Sequence, residues 1–123
     1  MKFDELSGKV IRCALEVHKQ LGPGLLESAY ERCLSYELSC AGMPHITQKE
    51  LPIAYKGTKL DCGYRADLLV DGSLIVELRA LDNLLPIHQA QILTYMKLAG
   101  VKTGLLMNFN VARLKDGIKR FVL

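Results

Sequence analysis

From Glu5 to Gln20 the apolar residues Leu6, Val10, Cys13, Ala14 and Val17 recur every three or four positions, which gathers them on one stripe of an α-helix. Gly22-Pro23-Gly24 breaks this pattern, since two residues free to take positive φ flank one without an amide donor. A second helix is expected over Leu25 to Ala41, with Leu26, Ala29, Tyr30, Cys33, Leu34 and Leu38 on its apolar stripe and Gly42 past its end. The period then changes. Leu51, Ile53 and Tyr55 alternate with Pro52, Ala54 and Lys56, which predicts a strand turning at Lys56-Gly57 into a second one over Lys59 to Tyr64.

Tyr64 to Ala80 is the most informative stretch. Two strand-like runs flank Asp71-Gly72, and Ala66, Leu68, Val70, Leu74, Val76, Leu78 and Ala80 are all even-numbered and apolar. Strand side chains alternate faces, so these residues share a buried face only across a loop of odd length; a three-residue turn with Gly72 in the left-handed position meets that condition. The same parity places Arg65, Asp67, Glu77 and Arg79 together on the opposite face, among Leu69 and Ile75. Further on, Pro86 opens a third helix running to Ala99, closed by Gly100, followed by a strand over Thr103 to Phe109 and a hairpin-like tail through Asp116-Gly117 to Ile118–Leu123. Two helices, a run of strands, a helix and more strands make an α+β or mixed-sheet α/β domain with at least five strands.

Composition narrows the function. The 123 residues, 50% hydrophobic and 24% charged, suit one domain spanning 1–123 with one core. A formal charge of +3, without a block of like charges, provides no nucleic-acid-binding tail, although Arg65, Arg79, Lys97, Lys102, Arg113 and Lys119 could contact phosphates. No apolar run approaches the ~20 residues that span a bilayer, and the first residues lack the apolar core of a signal peptide, so a cytoplasmic protein without a membrane partner is expected. Cys13, Cys33, Cys40 and Cys62 form no CxxC pair and are expected as free thiols in or near the core. His18, His45 and His88 have no metal-ligand spacing, and His88 is expected to cap a helix or lie at the surface.

The chemistry centres on Asp67 and Glu77. On neighbouring strands, two carboxylates offer the hard oxygen donors preferred by Mg²⁺, and Arg79 beside Glu77 offers a cation for a phosphate. By itself the same pattern also describes a solvated face where acids and arginines form weak ion pairs. Gly24-Leu25-Leu26-Glu27-Ser28-Ala29-Tyr30 resembles the signature of the GxxExxY proteins, and Tyr64–Val70 with Ile75–Ala80 resembles the core of the PD-(D/E)XK nuclease superfamily. His88-Gln89-Ala90-Gln91 through Tyr95 is similar to the QxxxY helix of the RecB-like branch.

These resemblances run from about Gly24 to Phe109 and imply a restriction-endonuclease-like core, a mixed central β-sheet flanked by α-helices. They imply a Mg²⁺- or Mn²⁺-dependent nuclease acting on DNA more readily than RNA, with Asp67, Glu77 and Glu27 as metal ligands. Arg79 stands at the usual lysine position, while Gln91, Tyr95, Arg65 and Tyr30 are expected to bind substrate. Because a guanidinium does not readily lose a proton, the alternative is a catalytically weakened module of the same fold that binds nucleic acid or a protein. A homodimer through an edge near Thr103–Phe109 or Phe121-Val122-Leu123 is a further expectation.

Overall fold

The computed structural model describes residues 4–123. Its elements are α1 (Glu5–Leu21), α2 (Glu27–Cys40), β1 (His45–Glu50), β2 (Ile53–Tyr55), β3 (Thr58–Leu60), β4 (Arg65–Val70), β5 (Leu74–Arg79), α3 (Pro86–Ala99), β6 (Thr103–Asn108), a 3-10 turn (Leu114–Gly117) and β7 (Ile118–Val122). Five strands form a sheet in the order β1-β4-β5-β6-β7, antiparallel except for the β5–β6 pair, which α3 connects. This is the mixed sheet expected from the sequence.

The helices take opposite faces. Val10, Ala14 and Val17 of α1 and Tyr30, Leu34 and Leu38 of α2 pack on Leu68, Val70, Leu74, Val76 and Leu78, whereas Ile92, Tyr95 and Met96 of α3 pack on Leu69, Ile75 and Leu106. Full burial of each Val, Leu, Ile or Met among them contributes about 1.5–3 kcal/mol, so the two sheet faces supply the core. Local chemistry sets the helix ends. Asp4 Oδ1 accepts from Ser7 N (2.8 Å) at the start of α1. His88 Nδ1 accepts from Leu85 N (2.9 Å) at the start of α3, making His88 a cap as expected, and Gly100 closes that helix with φ 69°.

The β4–β5 hairpin has the odd loop that parity requires. Val70 pairs with Leu74 across Asp71-Gly72-Ser73. Both Asp71 (φ 51°) and Gly72 (φ 65°) are left-handed, where the sequence reading placed only the glycine. Parity fails at one position: Ala66 packs under α3 with Leu69, not with Leu68 on the other face. The slip occurs at Asp67, where the β4–β5 ladder has ended at Leu68–Val76 and where Gln48, opposite Asp67 in the β1–β4 register, takes φ 50°.

Strand β1 was not anticipated. Its side chains are mostly exposed, so this edge strand has no apolar alternation and is held by its ladder to β4. The two strands expected over 51–64 are shorter and form a separate hairpin, β2–β3. Pro52 cannot donate to a continued ladder, and Leu51 N donating to Tyr64 O (3.0 Å) closes the base of the excursion. Cys13 and Cys33 are half-buried, but Cys40 and Cys62 are exposed, so only two of the four free thiols meet the expectation. No helix of the described residues is long and apolar enough to cross a membrane.

Gly104 sets the seat of α3. A Cβ there would lie 2.6 Å from Met96 Sδ and 3.1 Å from Ile92 Cδ1. Gly104→Ala is therefore expected to overpack this layer and cost about 1–3 kcal/mol, read as a lower urea midpoint with an unchanged m-value.

Candidate active site

Where β4 and β5 stop exchanging backbone hydrogen bonds, two carboxylates take over. Asp67 N donates to Glu77 Oε2 (2.7 Å), and Leu78 N donates to Asp67 Oδ2 (2.8 Å). Each acid thus spends one oxygen on a backbone amide of the opposite strand. Its other oxygen has only long contacts: Asp67 Oδ1 lies 3.4 Å from Gln48 Nε2, and Glu77 Oε1 lies 3.3 Å from Arg79 Nη2.

Arg79 bridges the pair and is itself anchored. Its Nη1 donates to Leu78 O (2.8 Å) and lies 3.4 Å from Asp67 Oδ2, while Nη2 donates to Gln91 Oε1 on α3 (2.7 Å). Expected from the sequence to share a site, Asp67, Glu77, Arg79 and Gln91 are brought into one connected cluster.

Burial dominates the electrostatics. The Glu77 side chain is 2% exposed, which together with the neighbouring Asp67 charge pushes its pKa up to about 8 against the opposing pull of the Asp67 amide and Arg79. Burial likewise raises Asp67, partly offset by the Leu78 amide and Arg79. Tyr95, on the same side, is raised by burial and then by Glu77.

The other expected residues lie at different distances from this cluster. Glu27, the first residue of α2, reaches only the Ala80 amide (3.3 Å to Oε2). Among the described residues no three His, Cys, Asp or Glu side chains gather closely enough to hold one ion, so Glu27 does not join Asp67 and Glu77 in a three-ligand set. Tyr95 packs in the α3 layer, 7% exposed, with its ring centroid 6.1 Å from that of Tyr64. Arg65 turns to Glu50 and Asp61 rather than to the acid pair.

Tyr30 requires a correction. Fully buried, it stacks on Phe109 (4.5 Å between centroids), donates to Gly22 O (2.6 Å) and accepts from Leu25 N (3.1 Å). With ring and hydroxyl both engaged it cannot contact a substrate; it fixes the loop from which α2 and Glu27 start.

Two residues escaped the sequence reading as site components. Gln48 Nε2 donates to Glu31 Oε1 (2.5 Å) and faces Asp67, joining α2 to β4. Glu31 is raised by burial and by the Asp67 charge. Glu27 and Glu31 being one turn apart on α2 was legible, but Gln48 lies in the strand whose pattern gave no signal.

A divalent cation fits the chemistry of this pair. The donors are hard oxygens, one oxygen on each acid lacks a short hydrogen bond, and two protein ligands suit an ion that keeps several waters. A mixed sheet with helices on both faces, carrying an acid pair where two neighbouring strands part, is consistent with a restriction-endonuclease-like core. A family model of the PD-(D/E)XK nuclease superfamily matches residues 4–121, and the chain belongs to that superfamily. No curated protein and no solved structure matches it.

The raised Glu77 pKa has a stability consequence. Between about 4.5 and about 8 the folded chain holds a proton that the unfolded chain releases, so this group's stabilisation is complete at low pH and is lost as pH rises through that window. In EDTA, the unfolding free energy of the wild type should fall with pH by at most about 1.4 kcal/mol per unit from this group. Glu77→Gln, which keeps an acceptor for Asp67 N, should flatten that slope in urea titrations at several pH values.

Proposed function

We propose that this chain is a divalent-metal-dependent nuclease that hydrolyses phosphodiester bonds of DNA, with RNA as the second choice. The observation that carries this reading is the reciprocal bonding of Asp67 and Glu77, which fixes two carboxyl groups on facing strands and leaves one oxygen of each without a short hydrogen bond. Asp67 Oδ1 and Glu77 Oε1 would hold Mg²⁺ or Mn²⁺, with Glu27 at the α2 start and Glu31 through Gln48 in support. The bound cation would supply Lewis-acid stabilisation of charge on the phosphate.

Arg79 would hold the scissile phosphate. Its guanidinium is permanently charged, so it offsets charge on the phosphate oxygens and neither accepts nor delivers a proton. Gln91 orients it through Oε1, fixing the fork relative to α3. Within the superfamily, Gly24, Glu27 and Tyr30 support a GxxExxY protein, and Gln91 and Tyr95 support the RecB-like branch. In this reading residues 1–123 act as one cytoplasmic domain, and a homodimer would present two sites to a duplex.

A second reading is favoured by Arg79 itself. By the sequence resemblance it stands where the superfamily pattern has lysine, it contacts both acids, and such a chain could bind nucleic acid or a protein partner with little catalysis. Cleavage of labelled single- and double-stranded DNA with Mg²⁺ or Mn²⁺ separates the two. The nuclease reading expects cleavage by wild type that Asp67→Ala abolishes; cleavage by Arg79→Lys alone would establish the binding module.

Metal binding has its own readout. At ten times its Kd, Mn²⁺ should stabilise the wild type by roughly 1.4 kcal/mol, seen as a higher Tm. Asp67→Ala should show no such shift, whereas an equal shift in both proteins would remove Asp67 from the metal site.

A further inference from the structure

Beside the acid cluster, α3 and the segment around the β2–β3 hairpin enclose an open cleft of about 420 Å³. Its walls include Ile53, Tyr64, Ile87 and Leu98, and two of these apolar side chains are strongly exposed: Tyr64 at 42% and Ile87 at 66%. Gln91 and Tyr95 also line it. The size lies within the range of small-molecule sites, and apolar walls with few polar groups are their usual composition.

We propose that this cleft receives an unpaired nucleobase of the strand whose phosphate lies at Asp67 and Glu77, so that the preferred substrate is single-stranded or frayed nucleic acid. The proposal rests on the nuclease reading and adds its substrate class.

Three observations support a base over other occupants. Gln91 belongs to both places: it lines the cleft and accepts from Arg79 Nη2 (2.7 Å), so an occupant of the cleft is contiguous with a phosphate held by Arg79. A base also needs an apolar surface for its π face and polar groups for its edge. Tyr64 supplies an exposed aromatic wall, backed by the buried Tyr95 ring tilted 58° to it at 6.1 Å, while Gln91 and Thr94 supply amide and hydroxyl groups. Finally, the lining has no charged side chain, which suits a neutral heterocycle while the charge of the strand remains with Arg79. A base inside a duplex has its faces covered by neighbours and enters only after unstacking, so intact duplex is disfavoured.

The test measures fluorescence anisotropy of a short labelled strand, of its blunt duplex and of the strand carrying one abasic position, with Ca²⁺ replacing Mg²⁺. Wild type should bind the single strand ~10-fold more tightly than the duplex, the weight of one base–aromatic stack. Tyr64→Ala and Ala90→Leu, the latter narrowing the cleft from an exposed helix position, should each lose ~10-fold on the single strand and little on the duplex. The abasic strand should bind the wild type less well and Tyr64→Ala no worse, a coupling that general damage to the fold would not produce.

Equal affinity for strand and duplex, unchanged in both variants, would overturn the base site while leaving the nuclease reading in place. Binding of neither nucleic acid would overturn both. Concentration-dependent self-association weakened by Tyr64→Ala, with unaltered strand binding, would assign the cleft to a second copy of the chain and overturn the proposal.

Discussion

Asp67 and Glu77 each do for a neighbouring strand what a backbone carbonyl would do in an unbroken ladder. Beyond Leu68–Val76, the amides of Asp67 and Leu78 are satisfied by carboxylate oxygens across the gap. An amide left without a partner in a buried setting costs free energy, as does an unpaired buried acid; pairing them meets both demands. Where the ladder ends, the two side chains carry the bonding between the strands. At the same place one oxygen of each acid is left without a short hydrogen bond, and the face alternation breaks at Ala66.

Crowding two acids against the sheet raises the cost of charging them. Arg79 lowers that cost from one side, and Gln91 fixes Arg79 in turn. Buried ion pairs of this kind contribute little net stability compared with apolar packing, so the cluster contributes mainly geometry: a cation and two carboxylates held in register. The surrounding layers keep that geometry. Tyr30 and Phe109 seat the start of α2, and the missing Cβ of Gly104 lets Met96 and Ile92 bring α3 close to the sheet.

Much of this was legible along the chain because it depends on local periods. The amphipathic repeat from Leu6 to Val17 marked α1, Pro86 and Gly100 marked the ends of α3, and the even-numbered apolar run required an odd hairpin loop. Loop parity assigns Asp67 and Glu77 to the face of Leu69 and Ile75; the slip at Asp67 instead has the two acids bridge the strands, with Asp67 Oδ1 toward Gln48 and Glu77 Oε1 toward Arg79. β1 was silent because its partner, not its own side chains, makes it a strand. Gln48 was silent with it. For Tyr30 the motif and the environment diverge: the resemblance implies a substrate contact, but in the fold the residue closes a loop.

The sequence alone thus determined the acid pair and Arg79 as candidates for the chemistry, the three helices and the strands other than β1, and the odd loop of the hairpin bearing the acids, since each follows from near-neighbour periodicity and turn chemistry. Tertiary structure decided how those residues meet. The engagement of the inner carboxylate oxygens by opposing amides, the bridge from Arg79 to Gln91, the separation of Glu27 from the acid pair and the cleft beside Tyr64 all join segments distant in sequence. Contacts of that kind are set by the packing of layers against one another, and no local period encodes them.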